Sequence, residues 1–354
     1  MRVSEQRLSD RLAVQVVIGA YPPELVERAI TSTGRAGARN RLLPPRVVVY
    51  FVLAMSLFAD EGYEEVARRL AQGLSLSGYP ASERLADPPS TAAVSRARVR
   101  LGAAPLKSLF AQTAAARDGA GEDRPGSRYR GWRLRVMDGY QAVVPHSPQN
   151  AATYGRAAGG PHRPAPPSAR VSVLVENGGS ELLAADVSAG GGCPSVPVKT
   201  LARQLGPGDL VLAEGDYARP AVRRTLAEAG ADLLWKVPVS AAQPGGELLA
   251  DGSRLCALRD AGGSSAGGVV RLLGTVRPGG RGLLATTVLD PAAAPAHDLR
   301  DLYERRWSFQ QCEVFGDRQK LPLRSRSPEM VEQEIWGHLL VYSAIRRLAN
   351  SGLA

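Results

Sequence analysis

The sequence predicts a mixed α/β (α+β) fold: an all-α N-terminal domain, then a mixed sheet with flanking helices and a β-rich insertion. Three observations carry this. Helical patterning with proline and serine start signals fills residues 1–118. Apolar strands, first in hairpin order and then alternating with helices, follow from Trp132. Short strands broken by glycine-rich turns occupy about 237–290. The expected boundaries are therefore a helical domain over 1–118, a charged Gly/Pro-rich linker over 119–130 (GAGEDRPGSRYR), and an α/β domain over 131–354.

Taken in order, LSDRLAVQVVIGA and ELVERAI read as two helices separated by Tyr21-Pro22-Pro23, with proline opening the second. The run VVVYFVLAMSLFA (47–59) is too short to span a bilayer and suits a buried helix. GYEEVARRLAQGL (62–74) starts acidic and turns basic, as the helix dipole favours. Ser90 or Thr91 can cap STAAVSRARVRLG, and APLKSLFAQTAAA completes the helical part. WRLRVMDG reads as a strand ending in a carboxylate, and ARVSVLVEN with SELLAADVS as a hairpin around Gly178-Gly179. VPVKTLARQL, DLVLAEG, RPAVRRTLAEAG and ADLLWKV then alternate helix, strand, helix, strand. Residues 298–348 return to helix in two pieces divided by LPLRSRSPEM.

Composition narrows the function classes. A net charge of +10 and a pI near 9.9 favour a polyanionic partner. Only four lysines occur, so forty basic residues are arginine, which suits bidentate phosphate contacts. The helix over 90–102, with Arg96, Arg98 and Arg100, is a candidate DNA-recognition helix, although alternate positions do not share one helical face. The three cysteines lie far apart without a CxxC and read as free thiols; the four histidines are equally scattered, which argues against zinc. With no signal peptide and no membrane segment, a cytoplasmic protein is expected.

Three acidic or polar positions suggest chemistry. Asp138 closes an apolar strand and precedes glycine, and Glu214 ends the buried strand DLVLAEG. In LYERRWSFQQCEVFGDRQK (302–320), Tyr303, Arg306 and Gln310 fall one turn apart on one face of an expected helix. Asp216, two residues beyond Glu214, and Glu313, one turn beyond Gln310, are possible substitutes for their neighbours. Phosphoryl transfer on DNA commonly uses two divalent cations, and magnesium wants oxygen ligands converging from separate segments.

These residues resemble the bacterial DDE transposases of the insertion-element-four family, which carry Y-(2)-R-(3)-E-(6)-K where this chain has Tyr303, Arg306, Gln310 and Asp317. NAATYGR (150–156), LLPPRVVVYFVLAMSLF, GYEEVARRL and LRSRSPEMVEQEIWGHLLVYSAIRRLA (323–349) are similar to family segments in the same order. The resemblance implies a ribonuclease-H-like domain whose acidic positions are Asp138, Glu214 and Gln310, with Asp138 and Glu214 holding Mg2+ or Mn2+. It implies double-stranded DNA (insertion-sequence ends and target) as partner, a homodimer in the synaptic complex, and a nucleoid-associated cytoplasmic protein. It implies DNA contacts at Tyr303 and Arg306, flanked by Arg324 and Arg326. Two readings stay open: an enzyme of weakened activity, or a catalytically inactive DNA-binding relic or host protein.

Overall fold

The computed structural model describes residues 2–36, 43–76, 88–115, 124–155, 166–191, 195–213, 219–241, 245–259, 265–275, 282–308 and 323–352. Six helices come first: α1 (Arg2–Ala20), α2 (Pro23–Ser32), α3 (Pro45–Leu57), α4 (Tyr63–Leu76), α5 (Thr91–Leu101) and α6 (Ala104–Ala115). Their starts follow local chemistry. Prolines open α2 and α3, where the missing N–H costs nothing. Ser90 caps α5, its Oγ accepting the Ala93 amide at 3.3 Å. Every residue of α3 from Val47 to Met55 is buried, so this helix is the axis of the helical part.

The sheet begins with β1 (Arg128–Tyr129), joined to β2 (Trp132–Val143) by a two-residue turn in which Arg130 and Gly131 both have positive φ (44° and 97°). The stretch expected to be a linker therefore ends in a strand. After the short helix α7 (Pro148–Tyr154) come β3 (Ser168–Glu176) and β4 (Leu182–Ala189), antiparallel around the predicted Gly178-Gly179 turn. Helix α8 (Ser195–Leu201) leads to β5 (Asp209–Ala213), and α9 (Pro220–Glu228) to β6 (Asp232–Pro238). Strands β7 (Glu247–Leu248), β8 (Arg254–Arg259), β9 (Ser265–Thr275) and β10 (Gly282–Thr286) precede α10 (Ala296–Glu304) and α11 (Pro328–Asn350).

The strand order is β4-β3-β2-β5-β6-β10-β9-β8-β7. β2, β5 and β6 run parallel, while β3 and β4 flank them antiparallel on one side. The β-rich stretch about 237–290 is no separate module: β10 pairs antiparallel with β6, so β7–β10 lengthen the same sheet. One face of the sheet packs on α8 and α9 through Val198, Leu201, Val222 and Leu226. The opposite face shares a continuous core with α10, α11 and the N-terminal helices. α11 runs through that core, and Gly337 permits its contact with α3, since a Cβ there would sit 2.9 Å from Ser56 Oγ and 3.1 Å from Val52 Cγ1. No described helix is long and apolar enough to cross a membrane.

Candidate active site

Asp138 does not close its strand. β2 continues to Val143 because Gly139 to Val143 pair with Ser172 to Ser168 on β3. On its other side β2 pairs in parallel with β5 through Met137↔Ala213, the last described residue of β5. Asp138 thus follows directly on the partner of Ala213, toward the carboxyl ends of the parallel strands, the side where ligands meet such sheets. Its side chain is half-buried, and Oδ1 accepts the Gly139 amide at 2.7 Å.

The end of α10 closes the same side. Tyr303 is 2% exposed, and its hydroxyl donates to the Ala213 carbonyl at 3.1 Å. Ala213 is the last described residue of β5 and pairs with Trp235 on β6. The hydroxyl therefore reaches the backbone of β5 at the last described residue before Glu214. Burial, reinforced by the nearby Asp138 charge, holds the phenol well above its usual range. The hydroxyl expected to meet a DNA phosphate is thus buried against the β5 backbone in this structure.

The expectation that Tyr303, Arg306 and Gln310 share a helical face also changes. α10 ends at Glu304, with Arg305 as its cap. Trp307 takes the chain off the helix: its backbone N–H goes to Asn177 Oδ1 (3.0 Å) and its indole to the Tyr342 hydroxyl (3.1 Å). Arg306, half-buried, lies over the Tyr303 ring at 4.0 Å and donates to the Tyr303 carbonyl at 2.7 Å. Burial lowers its pKa, and the charge of Asp138 opposes that shift. Asp138, Tyr303 and Arg306 are therefore electrostatic neighbours.

Glu214, Asp216, Gln310 and Glu313 lie outside the described residues. Among the described residues, no three His, Cys, Asp or Glu side chains cluster as a metal site. The structure brings together Asp138, the β5 end immediately before Glu214, and the α10 end that leads toward Gln310.

Sequence reasoning missed what fixes the start of α10. Arg271, on β9, is fully buried and donates to the carbonyls of Val288 and Asp290 (both 3.0 Å) and of Ala294, and to Asp251 Oδ2 at 3.2 Å. Asp251 in turn accepts the Ala296 amide at 2.9 Å, so one arginine organises the loop entering the helix. The signal was an arginine inside the apolar run GGVVRLLGTV.

The basic candidates divide by exposure. Arg96, Arg100 and Arg326 face solvent. Arg98 does not: it is 0% exposed and donates to Gln333 Oε1 (2.7 Å), Glu334 Oε1 (3.1 Å), Ser325 Oγ and the Met330 carbonyl (both 3.2 Å). Its expected DNA contact is replaced by a tie between α5 and α11, because a guanidinium so enclosed needs its donors satisfied internally. Arg324 is half-buried and donates to the carbonyls of Glu61 (2.6 Å) and Ala59 (2.9 Å), which turns it from the expected DNA contact to a clasp on the α3–α4 turn. Arg326 is presented differently. Ser147 donates to its carbonyl at 2.7 Å and Asn150 to that of Ser325 at 3.2 Å, so its loop is fixed while its side chain is exposed.

Comparison with known proteins agrees with this layout. The family model for the insertion element 4 transposase N-terminal region matches residues 11–111, and that for the transposase DDE domain matches residues 133–344. Transposase InsG for insertion sequence element IS4, from Escherichia coli (strain K12), is 27% identical over 93% of this chain and 75% of its own length. Putative transposase InsZ from the same organism is 32% identical over 44% of this chain and 47% of its own. Among solved structures, the piggyBac transposase synaptic complex with hairpin DNA aligns over 96% of this chain and 75% of that one. That alignment has 9% identity and a TM-score of 0.46.

Proposed function

We propose, from the premise that this chain belongs to the transposase DDE-domain family with an insertion-element-4 N-terminal region, that it binds double-stranded DNA at insertion-sequence ends and cuts and joins it with a divalent cation. The convergence of Asp138, the β5 terminus and the Tyr303–Arg306 corner supports the reading most directly. The central strand order, with β2, β5 and β6 parallel and β3 and β4 turned back beside β2, suits a ribonuclease-H-like domain. On that fold an acidic residue on the first strand and one after the fourth approach each other, here Asp138 on β2 and Glu214 after β5.

The donor set fits the metal. Asp138 and Glu214 offer carboxylate oxygen and Gln310 an amide oxygen, the ligand type that Mg2+ and Mn2+ prefer. A bound cation of this kind stabilises the attacking and leaving oxygens of a phosphoryl transfer. Asp138 and Glu214 are the residues proposed to hold it, with Asp216 and Glu313 as substitutes. Arg306 stays charged beside Asp138 and limits repulsion between the acidic crevice and DNA phosphate. Residues 1–118 are proposed as the end-binding domain and 131–354 as the catalytic one. A synaptic homodimer in the cytoplasm accords with this assignment.

One observation favours a second reading. Gln310 and Asp317 stand where the family pattern has glutamate and lysine, which removes one carboxylate and one cation from the site. A catalytically inactive DNA-binding derivative follows if nothing replaces them. Nicking of a duplex carrying the element's ends, with Mg2+ or Mn2+, decides between the two. Metal-dependent cleavage that falls at least about 10²-fold in Asp138→Ala supports the enzyme. No cleavage by the natural chain, but cleavage by Gln310→Glu, supports the disabled derivative.

A further inference from the structure

Resting on the reading that this chain binds DNA, we infer that Ser147, Asn150 and Tyr154 are positioning residues for a DNA contact at Arg326, holding its loop through the backbone. Ser147 caps α7, the short helix that follows the strand carrying Asp138, and the other two lie on it. Each donates to a different carbonyl of the segment entering α11. Asn150 Nδ2 reaches Ser325 at 3.2 Å, Ser147 Oγ reaches Arg326 at 2.7 Å, and the Tyr154 hydroxyl reaches Pro328 at 2.9 Å. The three donors are spaced about one helical turn apart and so line one face of α7. Two of them, Asn150 and Tyr154, belong to the NAATYGR segment, which has no other part in the site.

The clamp is built into α7 itself. Ser147 Oγ works in both directions, accepting the Asn150 amide at 2.9 Å to cap the helix while it donates to Arg326. Asn150 is fully buried, and its amide nitrogen also donates to the Pro145 carbonyl at 2.8 Å, which fixes its own orientation. From the opposite side Arg98 donates to Ser325 Oγ at 3.2 Å, and the Arg324 amide to Glu334 Oε2 at 2.9 Å. The backbone is therefore held at 324, 325, 326 and 328, with Ser325 buried and the Arg326 side chain exposed. An exposed arginine on an ordered backbone meets a phosphate without the cost of first ordering its loop.

The test is a double-variant cycle on the full chain, read as affinity for a random-sequence DNA duplex at fixed salt. Ser147→Ala, Arg326→Ala and the pair are compared, each first checked for folding by circular dichroism. Ser147→Ala should weaken duplex binding about 3- to 10-fold, the cost of ordering on binding what the bond held in advance. In the Arg326→Ala background the same change should weaken it less than about 2-fold, because the residue it positions is gone. Tyr154→Phe keeps the ring and removes one donor. It carries the same expectation at about 3-fold, and takes the place of Ser147→Ala should that variant not fold. Equal losses with and without Arg326 would overturn the inference, leaving α7 as a buttress for the start of α11 alone. So would variants of Ser147 and Tyr154 that bind the duplex as tightly as the natural chain. If the unsubstituted chain binds no duplex, the functional reading itself fails, and that is seen before any variant is made. If it binds but Arg326→Ala changes nothing, the reading survives and only this inference falls.

Discussion

Arg98 and Arg306 both stand beside acidic residues, yet the two regions are built for different ends. Arg98 is fully enclosed, with Gln333, Ser325, Glu334 and the Met330 carbonyl accepting its donors. Tyr63 adds its hydroxyl and its ring, whose centroid is 5.7 Å away. Arg306 is half-buried, donates to the Tyr303 carbonyl, stacks on the Tyr303 ring and feels the charge of Asp138. The first arrangement satisfies charge to fix a helix junction. The second leaves charge where a ligand can use it. Arginine in a basic protein is therefore not one signal, and burial decides which role it takes.

The comparison breaks most readily at Arg98. Arg98→Met leaves the Glu334 carboxylate, 3% exposed, without its cation, and should destabilise the chain by about 3–5 kcal/mol. Urea or thermal unfolding measures this. Removing both charges, in Arg98→Met with Glu334→Leu, should recover at least half of the loss, because the penalty comes from the stranded charge more than from the pair. A double variant as unstable as the sum of the singles would mean that hydrogen bonds from Arg98 to Gln333 and Ser325, rather than the ion pair, hold the junction. Neither variant should change Mn2+ binding at Asp138 if the two regions are as separate as their surroundings suggest.

How much of this was legible in the sequence follows from the same contrast. The helices opened by Pro23 and Pro45 and capped by Ser90 were readable because their start signals are local. The β3–β4 hairpin was readable from its glycine pair, and Asp138 from its place in an apolar strand. The continuation of β2 past Asp138 was not readable, since it depends on β3 supplying partners from Ser168 to Ser172. The exit of the chain from α10 before Arg306 depends on Asn177 and Tyr342, far away in sequence. Helical spacing put Tyr303 and Arg306 on one face, and the family resemblance assigned both to DNA. Tertiary contacts put the tyrosine under the arginine. Glu214 and Gln310 remain proposals carried by the family pattern and by the described residues that lead to them.

A smaller effect is expected at His338, on the same helix as Glu334 but one turn on. Burial, and then the nearby positive charge of Arg324, lower its pKa from 6.5 to about 4. A histidine depressed in the folded state binds its proton first in the unfolded chain. Stability should be unaffected above pH 6.5 and should fall as pH drops from 6.5 toward 4. A shift of that size is worth about 3 kcal/mol in full, and partial solvent access to the ring reduces the expectation to roughly 2 kcal/mol. His338→Gln should flatten this part of the stability profile; a profile that keeps its slope would place the acid sensitivity on another group.

The smallest effects belong to the exposed arginines, and they test whether exposure is the right divider. Arg326 projects from a loop whose backbone is pinned by Ser147 and Asn150, while Arg96 and Arg100 project from the helix α5. If each meets a DNA phosphate, its change to alanine lowers the salt dependence of duplex binding by about 1 in the log–log slope and weakens binding similarly across sequences. A pre-ordered loop loses less freedom on binding, so Arg326→Ala should cost more affinity than Arg96→Ala. Equal losses at all three positions would show a diffuse electrostatic surface in which loop rigidity counts for nothing. A loss at Arg96 and Arg100 but none at Arg326 would move the DNA path onto α5 and away from the crevice that holds Asp138.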